Sequence, residues 1–246
     1  SAIGDTIISY SSPSKDKDYL IKPKKGMNKF NWNLRYKPAK QFEGMILWAG
    51  DLGGPVALPG KYSVEFNFND QITRKSFSVL PDPRSKATPQ DYAGYFDFVT
   101  GVRNKITEAH EVIITIRDIR QQLNNYKERV LNDDELKKEI RKIDSTMTLI
   151  EEALYQTKTK SGQDVLNFPV RLTNKIAYLN NILGNGDYPP TEQAYAVKEE
   201  LEIEINVQLT SFEKVKNKMI PAFNQMVRDK GIDAIILKKE KKELKP

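Results

Sequence analysis

Between Phe30 and Tyr36 every second residue is apolar: Phe30, Trp32, Leu34 and Tyr36 alternate with Asn31, Asn33 and Arg35. The same period of two returns in Tyr62, Val64, Phe66 and Phe68, and more briefly in Phe77 and Val79. Successive side chains of an extended strand point to opposite faces, so this alternation predicts half-buried antiparallel strands. Further strands are expected over residues 6–11 and over MILWAG, residues 45–50. Pro59-Gly60 presets a turn before Tyr62, and Asn69-Asp70 suggests a tight hairpin into the next strand.

Five to seven short strands in about 80 residues predict a small immunoglobulin-like β-sandwich over residues 1–83. Its core would consume the aromatic sets; an exposed ligand platform is their other reading. With the core reading, Trp32→Ala would cost roughly 3–5 kcal/mol, the range for a large buried aromatic.

Near PDPRSKATPQD, residues 81–91, the period changes to between three and four. Tyr92, Tyr95, Val99, Val102, Ile106, Ala109, Ile113 and Ile116, continued by Ile119, Leu123, Tyr126 and Val130, trace the seam of one helix of about 40 residues. Thr88-Pro89 supplies its cap and first-turn proline. Asn132-Asp133-Asp134 breaks it and caps a second helix carrying Leu136, Ile140, Ile143, Met147, Ile150 and Leu154. After the polar link TKTKSGQD, a shorter helix presents Phe168, Leu172, Ile176, Leu179 and Leu183, with Pro169 in its first turn. GNGDYPPT turns the chain, and Thr191 caps a last helix with Val197, Leu201, Ile205, Leu209, Phe212, Val215, Met219 and Ala222. Pro221 should kink or end it. Short links make neighbouring helices antiparallel. The expected fold is therefore multidomain: an all-β sandwich over 1–83, then an elongated antiparallel three- or four-helix bundle over 84–246 with a basic tail.

No apolar run approaches the length of a membrane-spanning helix, so no transmembrane segment is expected. With no cysteine and one histidine, His110, disulfides, thiolate chemistry, His-rich metal sites and a Ser-His-Asp triad are not expected, and neither is a cofactor. The net charge of +6 is unevenly placed, with nine Lys/Arg against four Asp/Glu in residues 1–45. A nucleic-acid partner would want a denser basic stripe, so none is expected. The chain begins without Met or a leader and reads as a piece of something longer.

Candidate chemistry is sparse. GDLGGP, residues 50–55, lacks the Lys-Ser/Thr pair of a phosphate loop, and GNGDY, 184–188, lacks the spaced acids of a calcium loop. Asp133-Asp134 suits a helix start, while Glu151-Glu152 and Glu199-Glu200 lie within helices. No catalytic residue and no metal ligand is assigned. His110 lies beside the first helix seam and reads as a packed or edge-exposed imidazole. Trp48, next to the Gly/Asp-rich loop with Asp51, is the candidate ligand-binding position, since an exposed indole there would stack on a sugar ring; filling a core or domain interface is its other reading. The tail GIDAIILKKEKKELKP reads as an arm docking on the body, with a weak interfacial anchor as the alternative.

Three stretches together carry a resemblance: GMNKFNWNLRY (26–36), GPVALPGKYSVEF (54–66) leading to LPDPR (80–84), and KSGQDVLNFPVRLTNKIAYL (160–179). The chain resembles the C-terminal region of large bacterial proteins with sortilin-like, BNR-repeat β-propellers, commonly labelled glycosyl hydrolases. The match keeps its order over nearly the whole chain, and the third stretch is the most specific. The resemblance implies a propeller upstream, any hydrolase site there, and export to the periplasm or cell surface. This chain holds no Asp-box of the Ser-x-Asp-x-Gly-x-x-Trp type and no blade repeats, so no catalytic residue carries over. The implied role is a non-catalytic accessory module packing on the upstream propeller or a partner protein; the alternative is a carbohydrate-binding module using loops around Trp48.

Overall fold

The structure is a computed structural model that describes residues 6–12, 14, 19–127, 133–183 and 188–231. The expected end of the first helix at Val130, the Asn132 break, most of the GNGDY turn and the tail beyond Gly231 lie outside the described residues. The chain divides into two compact units, each drawn from three stretches.

The first unit comprises Ser1–Ala39, Asp51–Asn104 and Ala177–Ala196. Its only sheet among the described residues is the antiparallel hairpin of β1 (Gly60–Phe68) and β2 (Gln71–Val79). Phe68 pairs with Gln71, leaving a two-residue loop in which Asn69 (φ 49°) and Asp70 (φ 62°) are both left-handed. That is the backbone of a type I′ turn, whose twist matches the twist of its strands. Asn and Asp tolerate the left-handed region better than most residues, and so they close this hairpin without glycine.

No β-sandwich forms among the described residues. Residues 6–11 contribute one isolated bridge, Ser11 to Leu20. The alternating stretch 30–36 is not a strand either, because Leu34 at φ 58° reverses the extended path. Residues 34–39 instead meet 52–57 irregularly, through Tyr36 N–H to the Pro55 carbonyl (3.0 Å), Ala39 N–H to Leu52 (2.8 Å) and Ala57 N–H to Leu34 (2.7 Å). Gly54 makes this approach possible: a Cβ there would lie 2.3 Å from the Tyr36 carbonyl oxygen. The aromatic sets are consequently not consumed by a core. Phe30, Val64, Phe66 and Phe68 are exposed, and Trp32 is half-buried. Trp32→Ala should cost less than the full core range.

The long helix α1 (Pro89–Lys127) starts in this unit. Thr88 and Asp91 form a reciprocal cap: the Thr88 hydroxyl accepts from Asp91 N–H (3.2 Å), and the Asp91 carboxylate accepts from Thr88 N–H (2.8 Å). Phe98, Val99 and Val102 are buried, with Tyr195 edge-on to Phe98 at 5.1 Å.

The second unit comprises Lys40–Gly50, Lys105–Ile176 and Val197–Pro246. In α2 (Asp134–Leu154) the positions Leu136, Ile140, Ile143, Met147, Ile150 and Leu154 are all buried, and Asp133 caps the helix by accepting from Leu136 N–H. The part of α1 in this unit buries Ile106, Ala109, Ile113, Ile116, Ile119 and Leu123. Beyond α2, Asp164 ties a single 3-10 turn (Asp164–Leu166) by accepting from Lys160 and Ser161 N–H. The next helix, α3, runs Leu172–Leu183. Phe168 and Pro169 therefore precede it and are not its first turn.

The last rod is α4 (Glu192–Lys214), a π-helical turn (Val215–Met219) and α5 (Ile220–Asp229). Pro221 does not end it: it directly follows the π turn, in which Ile220 N–H donates to the Val215 carbonyl, and the rod continues through Asp229. The π turn adds a residue to the period, so burial steps from Val215 to Ile220, Phe223 and Val227. The expected seam positions Met219 and Ala222 are one residue out of register. Helix α5 and the π turn pack on α2. The expected sandwich followed by a separate bundle is thus replaced by one hairpin and helices, of which α1, α3 and α4 each contribute to both units.

Candidate functional site

Trp48 belongs to an irregular stretch of the second unit, residues 40–50, whose backbone is satisfied by side chains. Lys40 N–H donates to Thr107 (3.2 Å) and Ile46 N–H to the Tyr155 hydroxyl (2.8 Å). Asn174 on α3 accepts from Trp48 N–H and donates to the Trp48 carbonyl, both at 2.8 Å. MILWAG is therefore not a strand: one side-chain amide supplies at Trp48 what a neighbouring strand would supply. Trp48 is 47% exposed. The cavity beside it, lined by Ile46, Tyr155, Val165 and Phe168 among others, has about 20 Å³, room for a water and not for a sugar ring.

Asp51 lies in the first unit. Its carboxylate accepts from Gly53 N–H (2.8 Å), closing a local turn, while its own N–H donates to the Ala177 carbonyl (3.1 Å) and its carbonyl accepts from Asn180 (3.0 Å). These bonds make Asp51 a turn former in GDLGGP.

His110 is fully buried in the second unit, and its Nδ1–H donates to the Lys40 carbonyl at 2.5 Å. The Phe42 ring stands edge-on to the imidazole at 5.1 Å and to Tyr155 at 5.0 Å. Burial pushes the His110 pKa below its ordinary 6.5, against an opposing contribution from the Lys40 bond. The imidazole is accordingly a neutral pin between α1 and residues 40–50.

Glu151, with its side chain only 4% exposed, is held by Arg117 (2.8 Å) and by Arg120. Arg120 also reaches Asp144 (3.1 Å) and Thr148, and the Arg117 guanidinium lies 4.5 Å from the centre of the Phe42 ring. An open depression of about 400 Å³ borders this cluster. Both guanidiniums are engaged by the acids beside them, so the network holds α1 to α2 and is no ready anion receptor. No three acidic or histidine side chains converge as a metal site among the described residues.

The first unit carries the surface that stands out. Opposed residues of an antiparallel pair share a face, so Tyr62, Val64, Phe66 and Phe68 lie with Phe77, Lys75, Thr73 and Gln71. Trp32 covers the base of this face, its ring 6.1 Å from Tyr62 and 6.3 Å from Phe77. Towards the turn the face is bare: Val64 is 54% exposed, and Phe66 and Phe68, stacked at 6.4 Å, are 62% exposed each. The outward backbone groups of both strands have no backbone partner among the described residues.

No family model matches the chain, and neither does any curated protein or solved structure. Among the described residues no helix is long and apolar enough to cross a membrane. Sequence reasoning missed Asn174 and Asn180, and it assigned Phe66 and Phe68 to a core. The asparagines had no distinguishing signal, since Thr173, Lys175 and Asn181 are polar positions of the same twelve-residue helix. The exposure of Phe66 and Phe68 had none either, because alternation shows two unlike faces without showing what covers either.

Proposed function

We propose that this chain is a non-catalytic interaction module of a larger exported protein, the role that its resemblance to the C-terminal regions of sortilin-like propeller proteins implies. One observation supports the reading: an aromatic hairpin face that a free-standing domain would cover is half covered by Trp32 and otherwise open. Side chains such as Phe66 and Phe68, held in register on a hairpin, offer preordered apolar area to a partner at small entropic cost. The partner is the upstream propeller or a separate protein, in the periplasm or at the cell surface.

The test is a binding titration between this chain and a separately purified propeller of the resembling class. Saturable binding that Phe66→Ser with Phe68→Ser weakens at least about tenfold, roughly the 1.4 kcal/mol or more expected of a hot-spot pair, supports the proposal. An affinity that the double variant leaves unchanged removes the hairpin from the role. A carbohydrate-binding reading keeps one observation, the exposure of Trp48. It predicts calorimetric heat with a polysaccharide that Trp48→Ala abolishes.

A further inference from the structure

The bare face of the hairpin carries one charge. Of the ten residues that share it, Gly60, Tyr62, Val64, Phe66, Phe68, Gln71, Thr73, Lys75, Phe77 and Val79, only Lys75 is ionisable at neutral pH. Lys75 stands directly across from Val64, one pair from Phe66 and one from Phe77. On the opposite face Arg74 is bonded to Glu65 at 2.7 Å, and Lys61 stands at the far end from the turn. Lys75 has no ion pair of this kind among the described residues.

We infer, resting on the interaction reading above, that the partner covering Phe66 and Phe68 is an apolar protein surface that brings a carboxylate to Lys75. Anything that excludes water from this end of the hairpin also strips water from the ammonium beside it. A buried cation without a counter-charge is expensive, so the occupant that fits best supplies an acid where the face supplies none. A second copy of the chain does not meet this requirement. The same face on a second copy offers another lysine and no carboxylate, so face-to-face pairing would add like charge at the centre of the contact. A purely apolar occupant leaves the ammonium to bend out to the rim, in which case the charge of the partner would not matter.

The probes are three cyclised hairpin peptides with one valine- and phenylalanine-rich face, identical except for Glu, Gln or Lys at its centre. Binding to the full chain is followed by fluorescence anisotropy at low and high salt. The expected order is Glu, then Gln, then Lys, with about tenfold between the extremes at low salt and less at high salt. Lys75→Glu should invert the order, and Phe66→Ser with Phe68→Ser should abolish binding of all three. Equal affinities for the three peptides, still lost in the serine variant, would overturn the carboxylate inference and leave the interaction reading standing. No binding by any peptide would overturn both. A dimer in sedimentation that the serine variant dissolves would identify the occupant as a second copy and overturn the inference. These positions are exposed, so circular dichroism should show all variants folded.

Discussion

Asn174 accepts the N–H of Trp48 and donates to its carbonyl, 2.8 Å each way, so one side chain reads both polar groups of one peptide residue. Asn174 is itself 7% exposed. Each such bond contributes about 0.5–1.5 kcal/mol net, and groups stranded without partners cost more. Asn174→Ala should therefore destabilise the chain by about 2–3 kcal/mol in urea denaturation, with a red shift of Trp48 emission in a Trp32→Phe background. A loss under about 0.5 kcal/mol would mean that water replaces the amide freely.

Glu151 presents a different kind of buried polarity, with its charge compensated by Arg117 and Arg120. Removing one partner of a buried ion pair costs about 3–5 kcal/mol. Both arginines are partly exposed and can rehydrate, so Glu151→Gln should fall at the low end, near 3 kcal/mol. The effect should shrink only in part at high salt, since Glu151 is enclosed while the two arginines still meet solvent. A deficit that vanishes in salt would place the interaction at the surface.

Gly54 is required by space and not by φ. A methyl group there would sit 2.3 Å from the carbonyl oxygen of Tyr36 and 2.5 Å from that of Lys37, both backbone atoms with little freedom to move. Gly54→Ala should cost about 2–3 kcal/mol, the upper range for overpacking. Gly53→Ala makes the control. Its nearest neighbour is the flexible Asp51 carboxylate at 3.0 Å, and the smaller loss expected there separates crowding from a general intolerance of the loop.

Asp70 holds φ at 62° in the second position of the hairpin loop. Glycine adopts that conformation without the Cβ clash, so Asp70→Gly should protect the β1 and β2 amides by an extra ~0.5–1 kcal/mol in hydrogen exchange. Because the hairpin is so exposed, local exchange is the right measurement. Unchanged protection would mean that Asp70 is unstrained.

Where one element's own periodicity decides its burial, the chain is legible. The seam of α2 can be written down from Leu136 to Leu154, and the hairpin turn is visible in Asn69-Asp70. The last helix shows where this stops. The expected seam position Val197 is exposed, the register is right from Leu201 through Val215, and it is wrong after that because a π turn shifts the buried face by one residue and leaves no mark in composition. The sandwich failed for a related reason. Alternation in residues 30–36 is real, but a single left-handed residue, Leu34, prevents the strand. Trp48 and Asp51 drew attention as exposed-loop residues, yet what organises them is Asn174, Ala177 and Asn180 on a distant helix, which no local pattern announces.

His110 is the sole histidine of the chain, so its titration can be followed without interference. Burial lowers its folded pKa below 6.5, which means that the unfolded chain takes up the proton first as pH falls. Stability should then be full above about pH 6.5 and decline as the pH drops towards the folded value, at up to about 1.4 kcal/mol per pH unit. The carboxylates whose pKa values are displaced, including Asp82 at about 2, are displaced downwards and titrate below this window. His110→Leu loses the bond to the Lys40 carbonyl and should be less stable at neutral pH, but its stability should be flat between pH 5.5 and 7.5. Urea denaturation at several pH values measures the slope, and the imidazole resonances measure the pKa. An imidazole titrating at or above 6.5, or a wild-type slope retained in His110→Leu, would show that the ring is not the buried neutral pin between Lys40 and α1.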